Sequence, residues 1–144
     1  GEIIWQKSKG ANANFAWGSW LSPSNPVIRD IHEYCLVFSK DSMKNSAKGE
    51  PTIEKEEFME STLSIWNITP ARAKKIGHPA PFPVELPKRF INLYSFKNDL
   101  ILDPFIGSGS TAIAAKLLDR DYIGYELNPE YVKIAKNRLK NETS

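Results

Sequence analysis

Apolar positions in this chain change their period as the sequence advances. Residues 2–6 and 33–39 are short aromatic and β-branched runs, the second closing on Lys40-Asp41, and each predicts a strand. Between them, 7–31 carries Gly10, Asn12, Asn14, Gly18, Pro23, Asn25 and Pro26, which predicts a long loop. A loop of that length in a compact domain is usually functional or disordered. Residues 41–51 are polar and Lys-rich, 53–60 predict a short acidic helix, and 62–68 a short strand. From 84 to 95 the period lengthens, and Leu86, Phe90, Ile91 and Tyr94 share a helical face. Pro83 and Pro87 fall in or before its first turns, where a missing N–H is tolerated. The remainder reads as strand 100–103, helix 110–118, strand 121–126 and helix 129–140. Asn128 is the predicted N-cap, Pro129 the first helical residue, and Val132, Ala135 and Leu139 the buried stripe.

The densest chemical signal lies at 103–111, Asp-Pro-Phe-Ile-Gly-Ser-Gly-Ser-Thr, between the apolar run Leu100-Ile101-Leu102 and the helix-forming Ala112 to Leu118. Strand, glycine turn and helix in that order let a nucleotide-like ligand approach the backbone at Gly107 and Gly109, where no side chain intervenes. Glu126 ends the next strand-like run, where a βαβ unit places an acid to accept hydrogen bonds from both ribose hydroxyls. Gly107 to Ala112 also satisfies the dinucleotide pattern G-x-G-x-x-A, so the glycines alone leave the cofactor open. A P-loop is excluded, because no Gly-Lys-Ser/Thr follows at the required spacing.

Upstream, His78-Pro79-Ala80-Pro81-Phe82-Pro83 leads into the helix that precedes this turn. Together with the Asp103–Thr111 motif and Tyr122-Ile-Gly-Tyr-Glu-Leu-Asn-Pro-Glu-Tyr131, it resembles the cofactor half of the S-adenosylmethionine-dependent DNA amino-methyltransferases. The resemblance is to their permuted (β) group, in which the catalytic motif precedes the cofactor motif. Residues 2–7 and 32–40 resemble two later strands of the catalytic half, so the likeness runs nearly end to end and is weakest over 41–76. A dinucleotide fold gives no reason for the His-Pro-Ala-Pro-Phe-Pro segment.

The resemblance implies an α/β, Rossmann-like methyltransferase fold that is incomplete in this chain, with S-adenosyl-L-methionine as cofactor. It divides the chain into 1–40 (late strands of the catalytic half with a DNA-facing loop), 41–76 (a short target-recognition segment) and 77–144 (the cofactor-binding βαβ portion). Asp103 would pair with the cofactor's amine. Ser108, Ser110 and Thr111 would offer hydroxyls and backbone N–H groups to its carboxylate, at a helix N-terminus. Phe82 and Phe105 would flank the adenine or the sulfonium cation. Glu126 would hold the ribose, Leu127 and Asn128 would join the cofactor-binding set, and His78 through Pro83, Pro79 and Ala80 included, would fold over the methionine end. Plain alternatives stand beside these: Phe82 and Phe105 as core, and Asp103 as the cap of its own turn.

The family's catalytic tetrapeptide, (Asp/Asn/Ser)-Pro-Pro-(Tyr/Phe), does not occur, so no catalytic residue is assigned within these residues. The expectation is the C-terminal portion of a methyltransferase, partnered by a polypeptide segment that carries the N-terminal catalytic half. Without that strand the glycine strand would present an apolar open edge, which soluble proteins avoid.

Composition changes this picture little. Hydrophobic content of 41% and charged content of 25% are those of a soluble globular chain, and a formal charge of +2 neither requires nor excludes nucleic acid. Cys35 is the sole cysteine, so it forms no intrachain disulfide, and with two distant His it gives no metal cluster. No signal-like or membrane-length apolar run is present; a cytoplasmic location and no membrane partner are expected.

Double-stranded DNA is the expected partner. In and beside the loop, Lys7, Lys9 and Arg29 supply cations, Trp17 and Trp20 large aromatics, and Asn25 an amide; Lys44 and Lys48 follow as phosphate contacts. An enzyme that methylates an exocyclic amine in duplex DNA must extrude the base, and Trp17 or Trp20 could stack in the gap. The plain readings are that the tryptophans pin the loop and that Arg29 and Asp30 form an ion pair. His32 reads as a packed histidine and Trp66 as core. The stretch 16–26 looks most like cytosine-N4 members, with adenine-N6 as the alternative.

Overall fold

A computed structural model describes residues 1–7, 21, 26, 28, 30–42, 47–71, 76 and 81–143. The contacts divide the chain into two units, Gly1–Phe38 with Leu63–Thr69, and Ser39–Thr62 with Pro70–Ser144.

The first unit is a three-stranded mixed sheet ordered β2-β1-β3, formed by β1 (Glu2–Gln6), β2 (His32–Leu36) and β3 (Ile65–Asn67). β1 lies in the middle, antiparallel to β2 and parallel to β3, with Ile4 opposite both Tyr34 and Ile65. Strand alternation sends Ile3, Trp5 and Trp66 to one face, where all three are buried. The Trp5 indole N–H donates to the Ile68 carbonyl at 2.8 Å, which satisfies its polar end inside that core. Tyr34, Leu36 and Ile65 lie on the opposite, exposed face. Both outer strands are shorter than the sequence predicts. β1 offers β2 a five-residue ladder from Gln6 opposite His32 to Glu2 opposite Leu36, beyond which Gly1 and Val37 exchange backbone hydrogen bonds, and only Ile4, Trp5 and Gln6 face β3. His32 packs edge-on against Tyr34, with ring centroids 5.1 Å apart, as expected of a packed histidine.

The described residues of the second unit form a βαβ core with three more helices: α1 (Lys55–Ser61), α2 (Glu85–Tyr94), β4 (Leu100–Asp103), α3 (Ser110–Leu117), β5 (Asp121–Gly124) and α4 (Pro129–Glu142). β4 and β5 pair in parallel, Leu100 opposite Asp121 through Asp103 opposite Gly124. Ala112 to Ala115 of α3 are fully buried, and Ile91 of α2 packs on Ala114 and Ala115 with Val84, Ile101 and Leu118 around them. Small residues here let the helices approach closely. Burial of a side chain the size of Ile113 contributes about 2–3 kcal/mol.

Two details of this unit differ from the helical pattern. Tyr94 is exposed, while Asn92 takes the buried position; its amide donates to Glu57 and its oxygen accepts from Thr52, which ties α1 and the segment before it to α2. Glu60 of α1, which is exposed, pairs with the largely buried Arg89 of α2 at 2.8 Å. Arg120 is buried beneath the end of α3, and its guanidinium donates to Ser95 Oγ, Thr52 Oγ1 and the carbonyls of Leu118 and Ser95. Burial holds its pKa below the usual arginine value, against the pull of Asp99 and Asp119.

One face of β4 is uncovered: Leu100 and Leu102 are 60% and 62% exposed. Among the described residues β4 pairs only with β5, which leaves its other edge without a ladder partner.

Candidate functional site

The carboxyl end of β4 turns sharply at Asp103-Pro104. Asp103 Oδ1 accepts the Phe105 N–H at 2.9 Å, so the carboxylate does cap its own turn, and its second oxygen is left for other partners. The Asp103 carbonyl accepts the Tyr125 N–H and the Ile106 N–H bonds back to the Tyr125 carbonyl, both at 3.0 Å. These bonds hold 103–106 against 124–126 after the β5 ladder has ended, which is why the strand is shorter than 121–126. Gly124 faces Ile106 so closely that an added Cβ would sit 2.9 Å from Ile106 Cβ.

Gly107 and Gly109 both have positive φ, 49° and 85°. Gly109 is the cap of α3, and a Cβ there would meet the Ala135 Cβ at 2.9 Å. Its lack of a side chain therefore serves the packing of α4 against the turn. Gly107 lines the cleft, and its N–H donates to Glu126 Oε2 at 3.1 Å. Glu126 Oε1 accepts the Asn128 N–H at 2.8 Å, and Asn128 in turn caps α4 by accepting from Glu130 N–H at 2.9 Å. Each carboxylate oxygen has a second lone pair, so the acid can still accept from a diol.

A cleft of about 260 Å³ lies over this turn, large enough for a nucleoside. It is lined by Ile106, Gly107, Ser108 and Ser110 of the turn and α3, by Glu126 and Tyr131, and by Pro81, Phe82 and Phe105. Phe105 is 85% exposed, so an aromatic ring stands at the mouth with little to do in the core. The chemistry suits a nucleoside bearing a cation: an acid for the ribose, aromatic rings for a flat base or a sulfonium, and a helix N-terminus for a carboxylate.

Of the residues assigned from sequence, Phe82, Phe105, Gly107, Ser108, Ser110 and Glu126 meet at the cleft. Asp103, Gly109, Thr111, Leu127 and Asn128 surround the turn without lining it; Leu127 is fully exposed and Asn128 acts as a helix cap. His78, Pro79 and Ala80 lie outside the described residues. Sequence reasoning assigned no role to Ile106 or Tyr131, although both stand within the motifs it used, nor to Arg138. That arginine donates to the Ser108 carbonyl at 2.9 Å and approaches the Ser108 and Ser110 hydroxyls at 3.2 Å.

For the DNA-facing set, Lys9, Trp17, Trp20, Asn25, Arg29 and Lys44 lie outside the described residues. Lys7 pairs with Glu33 at 2.6 Å and stands 5.9 Å from the Trp5 ring centroid. Lys48 is exposed. No group of His, Cys, Asp and Glu able to hold a metal occurs among the described residues. No helix among them is long and apolar enough to cross a membrane.

Comparison with known proteins agrees with this geometry. A family model described as DNA methylase matches residues 1–137. The type II methyltransferase M.MthZI of Methanothermobacter thermautotrophicus is 32% identical over 98% of this chain, which spans 43% of that relative's length. M.HindIII of Haemophilus influenzae, also a type II methyltransferase, is 34% identical over 90% of the chain and 45% of its own length. Among solved structures, TTHA0409 of Thermus thermophilus, complexed with S-adenosyl-L-methionine, superposes with a TM-score of 0.77 at 32% identity, covering 99% of this chain and 53% of that one. The PvuII cytosine-N4-specific DNA methyltransferase shares the fold at 19% identity and a TM-score of 0.64.

Proposed function

Because this chain belongs to the DNA methylase family of amino-methyltransferases, we propose that it binds S-adenosyl-L-methionine in the cleft over Gly107 and serves methyl transfer to an exocyclic amine of a DNA base. The observation that carries this reading is the meeting of Glu126, the Gly107 turn and the rings of Phe82 and Phe105 around one nucleoside-sized cleft. When bound, the cofactor supplies an electrophilic methyl group on a sulfonium. The chain's own residues do the holding: Glu126 accepts from the ribose, Phe105 and Phe82 face the flat or cationic part, and the start of α3 receives the carboxylate.

The substrate in this reading is double-stranded DNA, within a restriction-modification or related system in the cytoplasm. Cytosine-N4 is the favoured target and adenine-N6 the alternative, on the likeness of residues 16–26 to cytosine-N4 enzymes. Lys7, Lys9, Trp17, Trp20, Asn25, Arg29, Lys44 and Lys48 would serve the DNA side. Lys7 would have to exchange Glu33 for a phosphate.

The catalytic tetrapeptide is supplied by a polypeptide segment outside these residues. The exposed face of Leu100 and Leu102, and the edge of β4 that has no ladder partner among the described residues, support that view, since both suit a neighbouring strand or helix. Incubation of the chain with DNA and methyl-labelled cofactor tests the division. Cofactor binding with no label in DNA, and label restored once the complementary half is added, is the expected result. Transfer by the chain alone would overturn it.

A further inference from the structure

Arg138 reaches from α4 to the underside of the glycine turn, and its side chain is only 13% exposed. One Nη1 group donates to the Ser108 carbonyl at 2.9 Å and lies 3.2 Å from both the Ser108 and Ser110 hydroxyl oxygens. The other edge of the guanidinium is held by Glu142, Nε to Oε1 at 2.9 Å and Nη2 to Oε2 at 3.3 Å. Ser108 and Ser110 are 4% and 3% exposed. Ser110 passes the connection on, donating its own proton to the Phe82 carbonyl at 2.8 Å. A single cation thus ties together the turn, the first residue of α3 and the Phe82 wall of the cleft.

This arrangement alters the part played by the two serines. The Ser110 proton is committed to Phe82, so that hydroxyl has none to give a ligand in this arrangement. What the turn and the start of α3 still offer an anion is the Ser108 and Thr111 hydroxyls and the backbone, whose first N–H groups have no intrahelical acceptor. Their aim depends on how the turn is held. A planar fork bonded on both edges fixes such a position better than an ammonium.

We propose that Arg138 is a positioning residue for the amino-acid end of the cofactor: it fixes the Ser108–Ser110 backbone that receives the carboxylate, without touching the ligand. The proposal rests on the reading of the cleft given above. Its test compares three ligands by calorimetric titration of the purified protein. S-adenosylmethionine and S-adenosylhomocysteine carry the amino-acid arm, while methylthioadenosine carries only the nucleoside and thioether. Arg138→Gln should weaken the first two by about tenfold, the worth of one charge-assisted hydrogen bond, and leave methylthioadenosine within about twofold. Equal weakening of all three would make Arg138 a merely structural residue, and no weakening would remove its role; either result overturns the proposal.

Glu142→Gln provides a second variant should Arg138→Gln fail to fold, because Glu142 is half-exposed and only steadies the fork. The same selectivity at about threefold is expected of it, and an unselective or absent effect would again overturn the proposal. If the unaltered protein binds none of the three ligands, the reading of the cleft itself fails. If it binds all three and the variants show no selectivity, only the role of Arg138 fails.

Discussion

Glu126 accepts the backbone N–H of Gly107 at 3.1 Å, joining the segment after β5 to the turn after β4. The same carboxylate takes the Asn128 N–H at 2.8 Å, so one acid shapes the glycine turn and the entry to α4 while lining the cleft. Glu126→Gln keeps one acceptor oxygen but loses the charge that strengthens these bonds and any to a diol. S-adenosylmethionine affinity should fall about tenfold or more by titration. Unchanged affinity would remove Glu126 from the ribose side.

Gly109 should resist even the smallest substitution. At φ 85° with Ala135 Cβ 2.9 Å from where a methyl would lie, Gly109→Ala combines backbone strain with overpacking and should cost about 2–4 kcal/mol in denaturant unfolding. Adding Ala135→Gly should recover the packing part relative to Ala135→Gly alone, while the strain remains. A loss independent of residue 135 would mean that the contact is unimportant.

These positions show what the sequence could and could not reveal. Strand, turn and helix were legible at 100–117 because each rests on local pattern, and Asn128 with Pro129 marked the start of α4 by residue type alone. The use of Gly109 was not, because the residue it makes room for is 26 positions away on another helix (135 − 109). Arg138 and Glu142 read locally as an ordinary i,i+4 surface pair; nothing in their spacing shows that the arginine reaches Ser108. Tyr94 and Asn92 exchanged the expected exposures because α1, a partner outside the helix itself, supplies the Glu57 acceptor that makes burial of an amide tolerable.

Arg120 should be a stability residue with no part in ligand binding. Its guanidinium serves acceptors at Thr52, Ser95 and Leu118. Arg120→Ala leaves those buried groups unsatisfied and should cost about 3 kcal/mol in urea unfolding. A cost below about 1 kcal/mol would mean that water replaces it freely.

Cys35 gives a pH-dependent signal. Burial first, and the Glu33 charge second, push its thiol above the ordinary value of 9.0. The native chain therefore holds this proton after the unfolded chain has released it. The contribution to stability is constant below pH 9.0 and is lost as pH rises through the native value. Thiol alkylation in the folded protein should stay slow past pH 9.0 and reach the rate of the denatured protein only at higher pH; equal rates at pH 9.0 would contradict this.

Phe105 offers the most direct test of the cleft. The ring is 85% exposed, so Phe105→Ala should leave the unfolding midpoint unchanged, and any change in binding reports on the ligand alone. Titration of S-adenosylmethionine into both proteins should show saturable binding in each, about tenfold weaker in the variant from the lost contact with the base or sulfonium. Equal affinities, or no binding by the unaltered protein, would contradict the assignment of this cleft to the cofactor.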